Sequence, residues 1–316
     1  MKVLNRNEAA DFLRAGDRFV ILTHRRPDGD TLGSAAALCR GLRQLGKTAY
    51  VLENPGTTPM YAPLLQDLTC EAVAESDCLI CVDVAAQEML PAAFMHLASR
   101  LQLRIDHHRG DKHFTPMELV EPATASCGQI IYHLLTLLGV SLDIPMANAI
   151  YTAISTDTGC FRYANTQSDT FAVAAACAQV SSDLTAINRK LFETVTLARL
   201  RLQGWIVENA QFLQGGKIIV CALPKEIEEQ FGVTEDDMDN ISGFPRSIEG
   251  VELSAMLRHQ PDGKVKLSMR AVPELDASAI CGKFGGGGHR GAAGATLDMP
   301  MDQAVQAVIA ALPVIE

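Results

Sequence analysis

The segment ILTHRRPDGDTLGS, residues 21–34, joins an apolar run to a histidine and two aspartates. The apolar run is typical of a buried strand, and Pro27-Asp28-Gly29 is typical of a tight turn. In an α/β sheet such a turn lies at the carboxyl ends of the strands, where ligands usually bind. His24, Asp28 and Asp30 would crowd one loop there, and the carboxylates would repel each other without a cation among them. We therefore expect a metal site at this loop.

Three later segments place further potential ligands at the ends of predicted elements. Asp83 closes the apolar strand 78–84, Asp106-His107-His108 follows the strand 101–105, and Asp157 follows the helix 144–155. Such a residue alone is usually a cap or a satisfied polar group. Four sites at one sheet edge instead predict two divalent ions about 3.5–4 Å apart, as in two-metal hydrolytic centres. Asp and His ligands without Cys favour Mn²⁺, or Mg²⁺ or Co²⁺, over structural zinc.

Alternating strands and helices predict an α/β fold, a doubly wound and mostly parallel sheet, over residues 1–185. We place four strands there, at 18–23, 48–52, 78–84 and 101–105. A helix capped by Asn7 would run to Ala15, and the helix after the metal loop would span Thr31–Leu45. A helical connector, 186–211, would lead to a smaller α+β domain, 212–316, with a Gly-rich loop at 285–288.

Taken together, the motifs resemble those of the DHH phosphoesterases. The matching residues are His24-x-x-Pro27-Asp28-x-Asp30-x-x-Gly33-Ser34, Asp83, Asp106-His107-His108 and Thr156-Asp157-Thr158-Gly159. The stretch from Gly285 to His289, followed by Ala292-Ala293-Gly294, is similar to the substrate-binding domain associated with that family. Length and layout most resemble the nano-RNase branch. The resemblance implies an enzyme that degrades very short oligonucleotides to 5′-mononucleotides or dephosphorylates 3′-phosphoadenosine 5′-phosphate.

The resemblance also implies a role for each matching residue. One metal ion would be held by His24, Asp28 and Asp83, and a second by Asp30, Asp83, His107 and Asp157. His108 would face the scissile phosphate as a general acid or charge stabiliser. Asp106 would either orient the histidine pair or be merely structural. The implied substrate-binding residues are Arg109, Arg270, Gly286, Gly287, Gly288 and His289.

Arg109 leaves the exact substrate open. Many nano-RNases carry Asn a few positions after the histidine pair, whereas related cyclic-dinucleotide phosphodiesterases carry Arg. Here Arg109 could contact phosphate or be a solvated loop charge. The alternative function is therefore a phosphodiesterase for cyclic di-AMP or linear di-adenylate, and a non-enzyme alternative is a nucleotide-binding regulator with an inactive site. Inorganic pyrophosphatase, which uses similar motifs, fits the Gly-rich C-terminal region less well.

Composition limits the partners and the compartment. A net charge of −10 argues against a broad basic face for long duplex nucleic acid, and 5% aromatic residues argue against a long stacking platform. We expect short RNA or DNA oligonucleotides or small nucleotides as substrates, and a homodimer stays open. The odd number of cysteines, nine, is typical of thiols in a reducing cytoplasm. Since we find neither a signal peptide nor a membrane-spanning segment, we expect a cytoplasmic protein without a membrane partner.

Overall fold

The computed structural model describes residues 1–108, 110, 112–238, 241–260 and 262–315. The chain divides into two compact units, Met1–Thr194 and Val195–Glu316. Each unit has hydrophobic clusters of its own. Within the described part of the chain, no helix combines the length and the apolar character needed to cross a lipid bilayer.

The first unit is built on a seven-stranded sheet whose strand pairs are all parallel in the described residues. Its strands are β1 (Lys2–Val3), β2 (Phe19–Leu22), β3 (Ala49–Leu52), β4 (Thr69–Cys70), β5 (Cys78–Val82), β6 (Leu101–Asp106) and β7 (Met117–Val120). Their order across the sheet is β1-β7-β6-β5-β2-β3-β4. The order reverses beside β2, so β5 lies between β2 and β6 at the middle of the sheet.

Successive residues of the central strands enter two separate apolar clusters. In β2, Phe19 and Ile21 belong to one cluster, whereas Val20 and Leu22 belong to the other. Because neighbouring side chains of a strand point to opposite faces, both faces of the sheet are covered. This confirms the predicted doubly wound α/β fold.

Six α-helices are described in the first unit. They are α1 (Arg6–Ala15), α2 (Gly29–Gln44), α3 (Cys127–Leu137), α4 (Ile144–Asp157), α5 (Ser168–Val180) and α6 (Leu184–Asn188). Helix α2 is rich in Gly and Ala and is almost completely buried, which lets it pack closely on α4. Short 3₁₀ segments at Gln87–Met89 and Ala92–Arg100 lie between β5 and β6, and a π-helical turn, Arg189–Glu193, follows α6.

The second unit contains a six-stranded mixed sheet. Its strands are β8 (Gln211–Leu213), β9 (Ile218–Leu223), β10 (Leu253–His259), β11 (Val265–Ala271), β12 (Gly287–His289) and β13 (Ala292–Leu297), in the order β12-β13-β11-β10-β9-β8. Among the described strands of this second sheet, only β9 and β10 pair in parallel, and the other pairs are antiparallel. The helices are α7 (Leu197–Asn209), α8 (Lys225–Phe231), α9 (Glu235–Met238), α10 (Ala277–Gly282) and α11 (Met301–Ala311).

Several local details differ from the predictions. Helix α1 is capped by Asn5, not Asn7, because Asn5 and Glu8 form a reciprocal capping box. Strands β1, β4 and β7 were not predicted; β1 and β4 have only two residues each, and β7 includes a buried glutamate, Glu118. The Gly-rich stretch 285–288 is not all loop, because Gly287–His289 pairs with β13 as an edge strand.

Candidate metal centre

The six predicted metal ligands come together at the carboxyl edge of the first sheet. His24, Asp83 and His107 follow three neighbouring strands, β2, β5 and β6. Two groups of three cover the set, His24 with Asp28 and Asp83, and Asp30 with His107 and Asp157. In each group, one candidate ligand atom per residue lies within 4.8 Å of the others. Parallel strands have their carboxyl ends at one edge of the sheet, so ligand residues that are far apart in the sequence lie close together in the structure.

In the first group, His24 lies between two carboxylates. Its Nε2 is 3.6 Å from an oxygen of Asp28 and 3.6 Å from Oδ2 of Asp83. Asp28 also caps α2, because its Oδ1 accepts hydrogen bonds of 3.1 Å from the backbone N–H groups of Asp30 and Thr31. Helix α2 therefore begins two residues earlier than predicted, at Gly29. The cap holds this acid in place at the mouth of the site.

In the second group, His107 faces two carboxylates. Its Nε2 is 3.6 Å from Oδ2 of Asp30 and 3.6 Å from Oδ2 of Asp157. Asp30 is held from behind by the first turn of α3, where the N–H groups of Cys127 and Gly128 donate to it over 2.8 and 2.9 Å. The positive end of the α3 dipole thus stabilises the ionised form of Asp30.

Asp83 connects the two groups. Its Oδ1 is 3.6 Å from His107 Nε2, and both atoms are buried without a hydrogen-bond partner in the described residues. Asp83 also has a positive φ of 57°, a backbone conformation that costs energy for a non-glycine residue. Buried polar atoms without partners are costly. A cation between these groups would satisfy both atoms, so the residues present fit a divalent metal ion.

Asp106 holds His108 rather than joining the ligands. Its Oδ1 accepts the backbone N–H groups of His107 and His108 over 2.7 and 3.1 Å and lies 2.8 Å from Nδ1 of the His108 ring. A carboxylate can only accept, so this Nδ1 carries the proton and Nε2 is left for another partner. The His108 side chain is 31% exposed. The geometry fits the predicted orienting role of Asp106 for His108, whereas the His107 ring is oriented by the backbone carbonyl of Thr124, 3.2 Å from its Nδ1.

A buried ionic network that the sequence analysis missed lies behind Asp106. Arg104, only 2% exposed, donates to the Asp106 carboxylate through Nε and Nη2. Its Nη1 lies 3.7 Å from Glu118, which in turn accepts from His113 at 2.8 Å. The signal was present in the strand Leu-Gln-Leu-Arg-Ile-Asp, because Arg104 and Asp106 are two residues apart and share a face. A charge inside a buried strand needs a partner, and Asp106 is within reach.

The electrostatics of the ligands fit a site built for cations. Burial and the neighbouring Asp157 raise the pKa of Asp30 to about 7, and burial raises the pKa of Asp157 to about 6. Burial and the charge of Asp30 likewise raise the pKa of Asp83 well above its usual range. For Asp106, burial is outweighed by the hydrogen bond and charge of His108 and by Arg104, so its pKa falls to about 2. Without metal, Asp30, Asp83 and Asp157 therefore stay protonated to higher pH than Asp106 does. Asp28 differs from these ligand acids, because burial is outweighed by its hydrogen bond to His24 and by the charge of His24, which lower its pKa.

The predicted substrate residues of the second unit lie around one edge of its sheet. Arg270 on β11 and His289 on β12 both stand opposite Ala292 of the strand between them. Directly opposed residues in antiparallel strands share a face, so Arg270 and His289 project from the same side. Gly287, Gly288 and His289 are exposed, and Gly286 immediately precedes them. The other predicted substrate residue, Arg109, lies outside the described residues.

Comparison with known proteins covers both units. Residues 18–154 match the DHH family, N-terminal domain, and residues 215–313 match the DHHA1 domain. A bifunctional oligoribonuclease and PAP phosphatase, NrnA of Thermus thermophilus, is 32% identical over 92% of this chain and 88% of its own length. The cyclic-di-AMP phosphodiesterase PdeA of Listeria monocytogenes is 24% identical over 96% of this chain and 48% of its own length. The crystal structure of an exopolyphosphatase-related protein from Bacteroides fragilis has a TM-score of 0.83 and 25% identity, and the match covers 97% of this chain and 94% of that one.

Proposed function

The chain belongs to the DHH family and carries a DHHA1 domain, and from this premise we propose that it is a phosphoesterase that hydrolyses short oligoribonucleotides to 5′-mononucleotides and dephosphorylates 3′-phosphoadenosine 5′-phosphate. The observation that carries the proposal is the ligand cluster around Asp83 and His107, with two buried polar atoms facing each other at 3.6 Å. The 32% identity to a bifunctional oligoribonuclease and PAP phosphatase over nearly the whole chain supports this substrate class.

The proposal includes two divalent ions. His24, Asp28 and Asp83 would hold one, and Asp30, Asp83, His107 and Asp157 would hold the other. Manganese is the metal we favour, because oxygen and imidazole donors without thiolate suit Mn²⁺, with Mg²⁺ or Co²⁺ as the alternatives. When bound, such ions neutralise charge on the phosphoryl oxygens and make a water molecule more acidic.

Within this proposal His108 is the general acid. The carboxylate of Asp106 fixes the proton on Nδ1, so that Nε2, when it also carries a proton, can give it to the leaving oxygen. The partial exposure of His108 would let a substrate reach Nε2. Arg104 would act through Asp106 as a positioning residue, because it is too deeply buried to contact a substrate.

We assign phosphate binding in the second unit to Arg270, His289 and the backbone around Gly286, Gly287 and Gly288. Arg270 and His289 project from one face of the sheet on either side of β13, which suits an anion between them. Arg109 stays a candidate phosphate contact by its position after the histidine pair. A reducing cytoplasm fits the nine cysteines, all of which are free. A homodimer is also part of the proposal, to be tested by light scattering.

The similarity to PdeA over 96% of this chain favours one alternative, a phosphodiesterase of cyclic di-AMP. Product release would be measured from linear di-adenylate, RNAs of three to five nucleotides, adenosine 3′,5′-bisphosphate and cyclic di-AMP, each with Mn²⁺, Mg²⁺ or Co²⁺. Rapid loss of the short linear substrates and the bisphosphate is the expected result. Preference for the cyclic dinucleotide would transfer the protein to the alternative function, with Arg109→Asn as the next variant.

A second arm tests whether the site turns over at all. The variant His108→Gln should lose activity on a dinucleotide by about 10²-fold or more, while a p-nitrophenyl ester, whose leaving group needs no proton, should be affected far less. Equal losses on both substrates would remove His108 as the acid. Binding of the substrates without release of product in any metal would favour the regulator with an inactive site.

A further inference from the structure

A cavity of about 370 Å³ lies in the first unit, apart from the metal ligands. It is an open pocket lined by residues of α2, α4, the segment 60–67 and the segment 187–191, and none of the predicted metal ligands lines it. Arg40 on its wall follows Asp30 by ten residues of α2, about 15 Å along the helix axis. Its volume lies within the range of cavities that bind small organic molecules.

Two cations line this cavity, and neither forms an ion pair with an acidic residue that the structure describes. Arg40 Nη2 donates to the carbonyl of Gln66 at 3.4 Å, and Lys190 Nζ donates to the carbonyl of Met60 at 2.7 Å. Arg40 Nε is buried without a hydrogen-bond partner in the described part of the chain. Asp67 is the one carboxylate among the lining residues, and no ion pair within 4.0 Å joins it to either cation in that part. The lining therefore carries an excess positive charge and an unsatisfied buried donor.

The rest of the wall is largely apolar. The apolar lining residues are Met60, Tyr61, Pro63, Leu64, Pro145, Ile187 and Leu191. Lys190 and Leu191 belong to the π-helical turn Arg189–Glu193, and π-helical turns are rare and occur frequently at functional sites. An apolar wall with a few converging polar groups is the usual chemistry of a small-molecule site.

We propose that this cavity binds a small organic acid, with an apolar ring against the wall and its anionic group on Arg40 and Lys190. An anion in the cavity would balance the charge of Arg40 and Lys190 and accept hydrogen bonds from their charged ends. A neutral ring of the same shape would leave this charge unbalanced. The proposal is independent of the catalytic one, because it shares no residue with the metal centre.

The probes are 2-naphthoate and its neutral analogue 2-naphthamide, with affinity measured by isothermal titration calorimetry on the full-length protein. We expect naphthoate to bind at least about 10-fold more tightly than naphthamide, since a charge-assisted hydrogen bond contributes about that factor. Arg40→Met and Lys190→Met should each weaken naphthoate by about 10-fold and leave naphthamide unchanged. Leu191→Trp, which fills the cavity, should abolish binding of both.

The matched control is Arg14→Met, the same charge change at an exposed residue that pairs with Asp11, and it should leave the affinity for naphthoate unaltered. Lys190 is exposed, so its variant keeps the test valid if Arg40→Met fails to fold. Equal affinity for both probes, or no binding of naphthoate up to about 1 mM, would overturn the proposal. Displacement of naphthoate by adenosine monophosphate that Asp83→Asn abolishes would place the probe in the metal centre and overturn it as well.

Discussion

The metal centre of the first unit and the glycine-rich edge of the second are built in opposite ways. Around Asp83 and His107, strand ends and helix ends position the ligands, and hydrogen bonds from neighbouring groups orient Asp30 and His107. Around Gly287 and His289, a three-residue edge strand presents exposed backbone and side chains. Bond-breaking chemistry needs preorganised charge that water cannot screen. Recognition of a phosphate group can be achieved by donors on an exposed edge.

The largest effect is expected at the junction of the two ligand groups. Asp83→Asn keeps the shape of the side chain but removes the charge shared by both groups, so activity on every substrate should fall on the order of 10³-fold. Steady-state rates and metal content measure this, with the exposed Glu75→Gln as the control. Retention of a tenth of the activity would mean that Asp83 is not the shared ligand.

A smaller and more selective effect is expected in the second unit. Arg270→Met should raise KM for a dinucleotide by about 10- to 100-fold, because it removes a charge-assisted phosphate contact. The rate constant for a small phosphodiester such as bis-p-nitrophenyl phosphate should stay unchanged, since the metal centre is intact. An equal loss of activity on both substrates would contradict the assignment of catalysis to the first unit and of phosphate recognition to the second.

Two adjacent glycines at that edge, Gly287 and Gly288, are expected to differ in their roles, one in substrate binding and the other in stability. At Gly288, φ is 144° and a Cβ would lie 2.6 Å from the carbonyl oxygen of Ala292, whereas a Cβ at Gly287 would have open space. Gly288→Ala should destabilise the second unit by about 1–3 kcal/mol, and Gly287→Ala should leave its stability unchanged and raise KM several-fold. The single tryptophan, Trp205 on α7, reports unfolding of this unit by fluorescence. A stable Gly288→Ala protein would contradict the strand assignment.

The smallest effect concerns pH and is confined to the first unit. Without metal, the raised pKa values of Asp30 (about 7) and Asp157 (about 6) mean that the folded state keeps protons that the unfolded chain has released. The stability that these protons provide is therefore fully present below about pH 4 and is lost as pH rises through about 7. The pKa of Asp106, about 2, contributes only in more acidic solution.

Calorimetric melting of the metal-free protein between pH 5 and pH 8 should show this loss, and Mn²⁺ should reverse it because a cation favours the ionised acids. Melting followed by Trp205 fluorescence is the internal control and should change little. A first unit that becomes more stable as pH rises in the presence of EDTA would contradict the assignment.

The ligand cluster could be predicted from the sequence because histidine and aspartate residues directly follow apolar runs that predict strands. His24, Asp83 and His107 each come after a strand, and parallel topology then brings strand ends together. The roles of these residues stay predictions until the variants above are measured. The connector and the domain limits also stay predictions.

Other features depend on partners that are distant in the chain. Strand β7 contains Glu118, whose buried carboxylate is accounted for by its contacts with Arg104 of β6 and with His113. Residues Gly287–His289 have low strand propensity, and β13 provides the template that pairs with them. The cap of α1 was readable, because Asn5 and Glu8 have the spacing of a capping box.

The packing of α2 on α4 has a dynamic consequence for the site. At Gly33 there is no room for a Cβ, because the carbonyl oxygen of Ala149 and the backbone of Ala153 occupy the space. The two helices are thereby locked against sliding past each other. Asp30 near the start of α2 and Asp157 at the end of α4 therefore belong to one tightly packed helix pair. We expect a larger residue at Gly33 to displace Asp30 and Asp157 together relative to His107.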